Sequence, residues 1–123
     1  MGLGREYDAH CAFIAGVYNA RINNGSLAIP LFDECIANDY TYMEAYIEKG
    51  MVYFDNSRYK EALTVFQFAS SVNNLYADAY YYMARCYEKM NVRDSAILRF
   101  KQSLSLDKNL AEARAGLKRL GAE

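Results

Sequence analysis

His10 is the only histidine in the chain and it stands directly before Cys11, the pairing from which a thiolate nucleophile and its base could be built. The spacing defeats that chemistry. Neighbouring residues on a helix diverge by about 100°, so the imidazole and thiol cannot readily share a proton. The other cysteines, Cys35 and Cys86, are remote from each other and from Cys11, with no C-x-x-C spacing. Neither a zinc site nor a disulfide framework is indicated, and all three read as small buried hydrophobes. Glu44 and Asp78 could form a carboxylate pair, but they read better as solvated surface charges. No glycine-rich loop that would cradle a phosphate is present. The chain is therefore expected to be no enzyme, with no catalytic residues, no metal and no cofactor.

Composition narrows the partners. Lys and Arg total 14 against 15 Asp and Glu, a formal charge of −1 in 123 residues. Positive charge is not concentrated enough to displace counterions from a polyanion, which argues against nucleic acid. No apolar run reaches the roughly 18–20 residues that span a bilayer, and Met1-Gly2-Leu3-Gly4-Arg5 lacks the apolar stretch of a signal peptide. These features favour the cytoplasm, with an excised piece of an envelope or secreted protein as the alternative. Hydrophobic residues make up 53%, ample for a core in one domain.

The elements follow from one fixed interval. It separates Ala28 from Ala62 and Ala62 from Ala96, and it also separates Phe32, Phe66 and Phe100. Gly16, Gly50 and Ala84 form a column of small residues in the same register, and Tyr46–Tyr80 and Tyr53–Tyr87 form two more. Such a period means stacked supersecondary units. Within each unit apolar residues recur at spacings of three and four, which argues helix. The predicted helices are about 6–22, 43–54, 58–72, 78–90, 95–106 and 111–121, with a second helix of the first unit opening after Ser26. Short turns such as Asp55-Asn56-Ser57 make each pair antiparallel. The small columns let the phenylalanine of the partner helix approach closely, since larger residues would overpack.

Two apolar sectors mark the helix from Met43 to Phe54. Tyr46, Gly50 and Tyr53 occupy one, and Ile47, Met51 and Phe54 occupy another roughly 100° away. One helix pair cannot cover both, so stacking on neighbours is required. Pro30 is expected to make its helix start late or bend, because it lacks an N–H donor.

These residues resemble the tetratricopeptide repeat, whose signature is W-x2-L-G-x2-Y followed by A-x3-F and P over about 34 residues. The second unit matches through Tyr46, Gly50, Tyr53, Ala62 and Phe66, and the third through Tyr80, Ala84, Tyr87, Ala96 and Phe100. The first keeps Gly16, Ala28 and Phe32 but has Ala12 and Asn19 in the aromatic columns. The closing proline is missing from every unit, replaced by Tyr40, Asn74 and Lys108, which predicts looser turns between units. The resemblance implies an all-α tetratricopeptide-repeat superhelix of antiparallel helix pairs. It would be one domain over 5–122, with repeats at about 9–42, 43–76 and 77–110 and a capping helix at 111–121. On that last helix, Glu112, Arg114, Lys118 and Arg119 are expected to face water.

The resemblance also implies a non-catalytic scaffold that binds a peptide or protein segment in the concave groove lined by the first helix of each pair. Carrying the groove columns across gives Phe13, Val17, Ile47, Met51, Phe54, Tyr81, Arg85 and Lys89. The first six would form an open apolar patch, and Arg85 and Lys89 would serve an acidic flank. The alternative is homo-oligomerisation, or a structural module of a larger repeat protein, with the groove filled by self. Family members that grip the acidic tails of heat-shock chaperones carry Lys and Asn where this chain has Phe13, Val17, Ile47 and Met51, so that clamp is not expected.

Overall fold

A computed structural model describes residues 2–123, with side chains from residue 4 onward. It contains seven helices and, among the described residues, no strand: α1 (Gly2–Arg21), α2 (Gly25–Asn38), α3 (Met43–Asp55), α4 (Tyr59–Val72), α5 (Ala77–Lys89), α6 (Arg93–Leu106) and α7 (Ala111–Arg119). Consecutive helices pack on one another along the chain. The contacts are strongest within the pairs α1–α2, α3–α4 and α5–α6 and continue from each pair to the next.

The core is built as the period requires. Phe32, Phe66 and Phe100 are fully buried on the second helices. The first two rest on a glycine one helix back: a Cβ on Gly16 would stand 2.6 Å from Phe32 Cε1, and one on Gly50 would collide with the Phe66 ring. Ala28, Ala62 and Ala96, one turn earlier on the same second helices, are equally buried. Ring and missing side chain therefore fit each other, and the fit sets how closely the helices pack.

The short oxygen-bearing side chains of Asp55-Asn56-Ser57 are of the kind expected to open the next helix, but the turns work differently. Within pairs, Asn23, Ser57 and Asn91 all take the left-handed conformation, at φ 62°, 62° and 61°, one repeat apart each time. The following N–H groups of Asn24, Arg58 and Val92 donate back to the carbonyls of Asn19, Tyr53 and Tyr87 at 2.8–2.9 Å, which closes the preceding helix with a Schellman-type bond. The residues that open α2, α4 and α6 make no side-chain cap. Asn56 and Ser57 thus terminate α3 and do not start α4.

The turns between units are pinned despite the missing proline. Asp39, Asn73 and Asp107 each accept a bond on Oδ1 from the backbone N–H two residues on, at 3.0 Å, the Asx turn. Tyr46 Oη and Tyr80 Oη donate to the carbonyls of Tyr40 and Asn74, at 2.6 and 3.0 Å, in the positions where the proline would stand. Two side-chain bonds replace one rigid ring. Pro30 does not delay the helix, since α2 begins directly after Asn24. Pro30 is its sixth residue, and the helix continues through it to Asn38.

Candidate partner-binding groove

The first helices α1, α3 and α5 carry the candidate columns in register. Phe13, Ile47 and Tyr81 stand one repeat apart, as do Val17, Met51 and Arg85. On α1, Phe13 is half-buried and tilts against Tyr42 and Phe32, with ring centroids 4.9 and 6.0 Å away. Val17 packs on the same cluster. On α3, Ile47, Met51 and Phe54 are half-buried and rest on Ala62, Phe66, Tyr80, Met83 and Cys86. The Phe54 and Tyr59 rings meet in a T-shaped contact with centroids 5.1 Å apart.

The flank is thus narrower than the sequence suggests. None of the six apolar residues is among the strongly exposed hydrophobics, and Tyr81 is only 9% exposed, packed 5.8 Å from the Phe100 ring. The reason is the superhelical stacking. Each first helix leans on its neighbour and consumes part of the second flank as well as the first.

Arg85 is also occupied. Its guanidinium lies 5.5 Å from the centre of the Phe54 ring, Nη1 donates to Tyr81 Oη at 3.2 Å, and Nε stands 3.4 Å from Glu88 Oε1. Lys89 is exposed and makes no ion pair among the described residues. Of the two cations expected to serve a ligand, Lys89 is the unengaged one.

Two bidentate ion pairs tie successive first helices together. Arg21 of α1 holds Glu48 of α3 through both carboxylate oxygens at 3.1 Å. Arg119 of α7 holds Glu88 of α5 in the same way at 2.9 Å, and this bond keeps the Glu88 carboxyl below the usual carboxylate range. Arg119 is exposed, as the helical pattern indicated, and from that position it also reaches across to Glu88. Glu48 lies outside the expected columns, and nothing in the pattern pairs Glu88 with Arg119. Only proximity in space reveals both pairs, since neither sequence separation matches the repeat.

One edge of this face is acidic. Glu44, Asp78 and Glu112 stand in one column, each in the first turn of its helix, where the helix dipole favours negative charge. Burial first, and then the nearby carboxylates of Asp107 and Glu112, push the Asp78 carboxyl above its ordinary value. His10 occupies the same column in α1 and its Nδ1 is 2.9 Å from Tyr42 Oη. No group of three or more metal-ligating side chains occurs among the described residues. No helix of the described residues is long and apolar enough to cross a membrane.

The fold is shared with solved structures. The tetratricopeptide-repeat domain of Arabidopsis OM64 superimposes with a TM-score of 0.86 at 15% identity, over 95% of this chain and 97% of that one. The first such domain of Spaghetti (RPAP3), bound to the HSP90 peptide SRMEEVD, gives 0.86 at 17% identity over 94% and 92%. MamA gives 0.78 at 24% identity, over 94% of this chain and 70% of MamA. No protein-family model and no curated protein matches the chain. The chain is an all-α helical-repeat protein with the tetratricopeptide-repeat fold.

Proposed function

We propose that the chain is a non-catalytic protein-interaction module that takes a peptide or protein segment across the face of α1, α3 and α5. The observation that carries this reading is the row of Ile47, Met51 and Phe54. It is half-buried, packed on the cluster of Ala62, Phe66 and Met83, with part of each side chain open. A partly apolar surface already held by packing gives a ligand side chain something to cover without first ordering the receptor. Phe13 and Val17 extend the row onto α1. The Spaghetti domain, of the same fold, is bound to a peptide, which supports the mode of binding but not the ligand. That peptide is acidic, whereas here Glu44, Asp78 and Glu112 line one edge and would repel such a tail. The ligand that fits has apolar side chains at its centre, an acidic residue toward Lys89, and none toward the Glu44 edge.

The test is selection from a displayed peptide library on the whole chain, with Met51→Glu as the discriminating variant. Selected peptides are expected to be apolar at the centre and to lose binding to Met51→Glu while its helicity is unchanged. Peptides that tolerate Met51→Glu but are lost on Phe68→Glu would move the interface to the outer surface. There Phe68 is 58% exposed beside a shallow depression lined also by Ile36, Tyr46 and Val65.

A further inference from the structure

Of the three turns that join the helices of a pair, only the first places an asparagine before a glycine. Asn23-Asn24-Gly25 stands where the others read Ser57-Arg58-Tyr59 and Asn91-Val92-Arg93. The glycine is required by packing, since a Cβ on Gly25 would stand 2.9 Å from Val52 Cγ1 of α3. The dipeptide also carries chemistry of its own. The peptide nitrogen after an asparagine can close a five-membered ring on the carboxamide carbon, and glycine presents that nitrogen with no side chain in the way.

We propose that Asn24 is a modification site, converted to aspartate and isoaspartate by the Gly25 nitrogen, and that opening of the α1–α2 turn sets the rate. The Gly25 nitrogen gives its proton to solvent base and bonds to Asn24 Cγ. The Cγ–Nδ2 bond breaks, and the amide nitrogen takes up a proton and leaves as ammonia. Water then opens the cyclic imide. Cleavage between Cγ and the Gly25 nitrogen gives aspartate, and cleavage between the residue 24 carbonyl carbon and that nitrogen gives isoaspartate. One water is consumed and one ammonia released, with nothing oxidised or reduced.

The folded turn holds the reacting atoms apart. Asn24 has ψ 67°, which in an L-residue sets the Gly25 nitrogen nearly opposite Cβ across the Cα–C bond, whereas ring closure needs the two eclipsed. Rotation is resisted from both sides. The Asn24 N–H donates to the Asn19 carbonyl at 2.8 Å and closes α1. The Asn24 carbonyl accepts from the N–H groups of Leu27 and Ala28 at 3.2 and 3.0 Å and opens α2, so turning ψ swings it off both donors. The Ser26 hydroxyl also holds Asn24 Oδ1 at 3.1 Å. Reaction therefore waits for the first turn of α2 to open, a local unfolding that lies below the global one in free energy.

The two products differ in consequence. Aspartate at 24 puts a carboxylate at the start of α2, which suits the helix dipole. Isoaspartate adds a main-chain carbon between the N–H that closes α1 and the carbonyl that opens α2, so the turn can no longer hold both bonds in their present spacing.

Incubation of the whole chain at mildly alkaline pH, folded and in urea that unfolds it, tests this by peptide mapping with mass spectrometry. In urea Asn24 should convert faster than every other asparagine, and folding should slow it at least about tenfold. Ala28→Gly weakens the first turn of α2 without touching the reacting pair. It should speed conversion in the folded chain and leave the rate in urea unchanged. Gly25→Ala should slow conversion in urea, because the added carbon crowds the attacking nitrogen. Equal rates folded and unfolded, or a folded rate that Ala28→Gly leaves unchanged, overturn the control by the turn. Another asparagine that overtakes Asn24 in urea, or a rate in urea indifferent to Gly25→Ala, overturns the site.

Discussion

Arg85 lies over Phe54, its guanidinium carbon 5.5 Å from the ring centre, and so joins α5 to the last turn of α3. A cation on an aromatic face is worth about 0.5–1 kcal/mol when partly exposed. Its contacts with Tyr81 and Glu88 add to that. Arg85→Ala is therefore expected to lower stability by about 1 kcal/mol, measured by urea denaturation. Lys89→Ala should leave stability within about 0.5 kcal/mol of the parent. Under the proposed function it should instead weaken binding of acid-flanked peptides. Equal stability losses for both variants would show that Arg85 has no structural role beyond its charge.

The Gly50–Phe66 contact tests the packing of the middle pair. Gly50→Val puts branched carbon where the Phe66 ring sits and should cost about 1–3 kcal/mol or more by overpacking. Phe66→Ala removes a fully buried ring and should cost about 3–5 kcal/mol. Because the two share one space, the double variant should lose less than the sum. Strict additivity in a double-mutant cycle would contradict the contact.

The turn anchors make a narrower prediction. Tyr80→Phe keeps the buried ring and deletes only the bond to the Asn74 carbonyl, so a loss of about 1 kcal/mol is expected. Amide hydrogen exchange should quicken at residues 73–76 first. A change spread evenly over α4 and α5 would mean that the bond does not hold the turn.

Asp78 gives a pH dependence. Burial and neighbouring carboxylates raise its folded-state pKa above the unfolded value, so folding takes up a proton at this site. Its contribution to stability is fully present below the unfolded pKa and is lost as pH rises through the folded one. Asp78→Asn should accordingly stabilise the chain at neutral pH relative to the parent, and the advantage should shrink as pH falls toward about 4, the unfolded-state value, and vanish below it. Thermal melts of both across that range measure it. An advantage that grows on acidification would reverse the sign and refute the assignment.

Much of the architecture is legible because it repeats. The phenylalanine, alanine and small-residue columns stand at one interval, and a repeated interval leaves few ways to stack helices. The Asx turns at Asp39, Asn73 and Asp107 carry the same interval. They escape a reading that looks there for the family's proline. Of the two outcomes expected from Pro30, the late start does not occur: α2 opens directly after Asn24, which leaves the proline inside the helix, beyond the first turn, where its missing N–H removes one intrahelical bond.

The candidate groove is legible only as a set of columns. Register puts Phe13, Ile47 and Tyr81 on equivalent faces, but it cannot say how far each is covered. Tyr81 is nearly sealed by Phe100, while Ile47, Met51 and Phe54 keep part of their surface. Nor can it pair Arg21 with Glu48 or Arg119 with Glu88, since those bonds cross between helices at separations that differ from the repeat.

The sequence by itself determined the helix pairs, their antiparallel order and the fully buried phenylalanines, because helical periodicity and the repeat interval are properties of the chain alone. Tertiary structure decided which flanks remain open and which charges are already spent. Those depend on the lean of one pair against the next, a long-range geometry that no local spacing encodes.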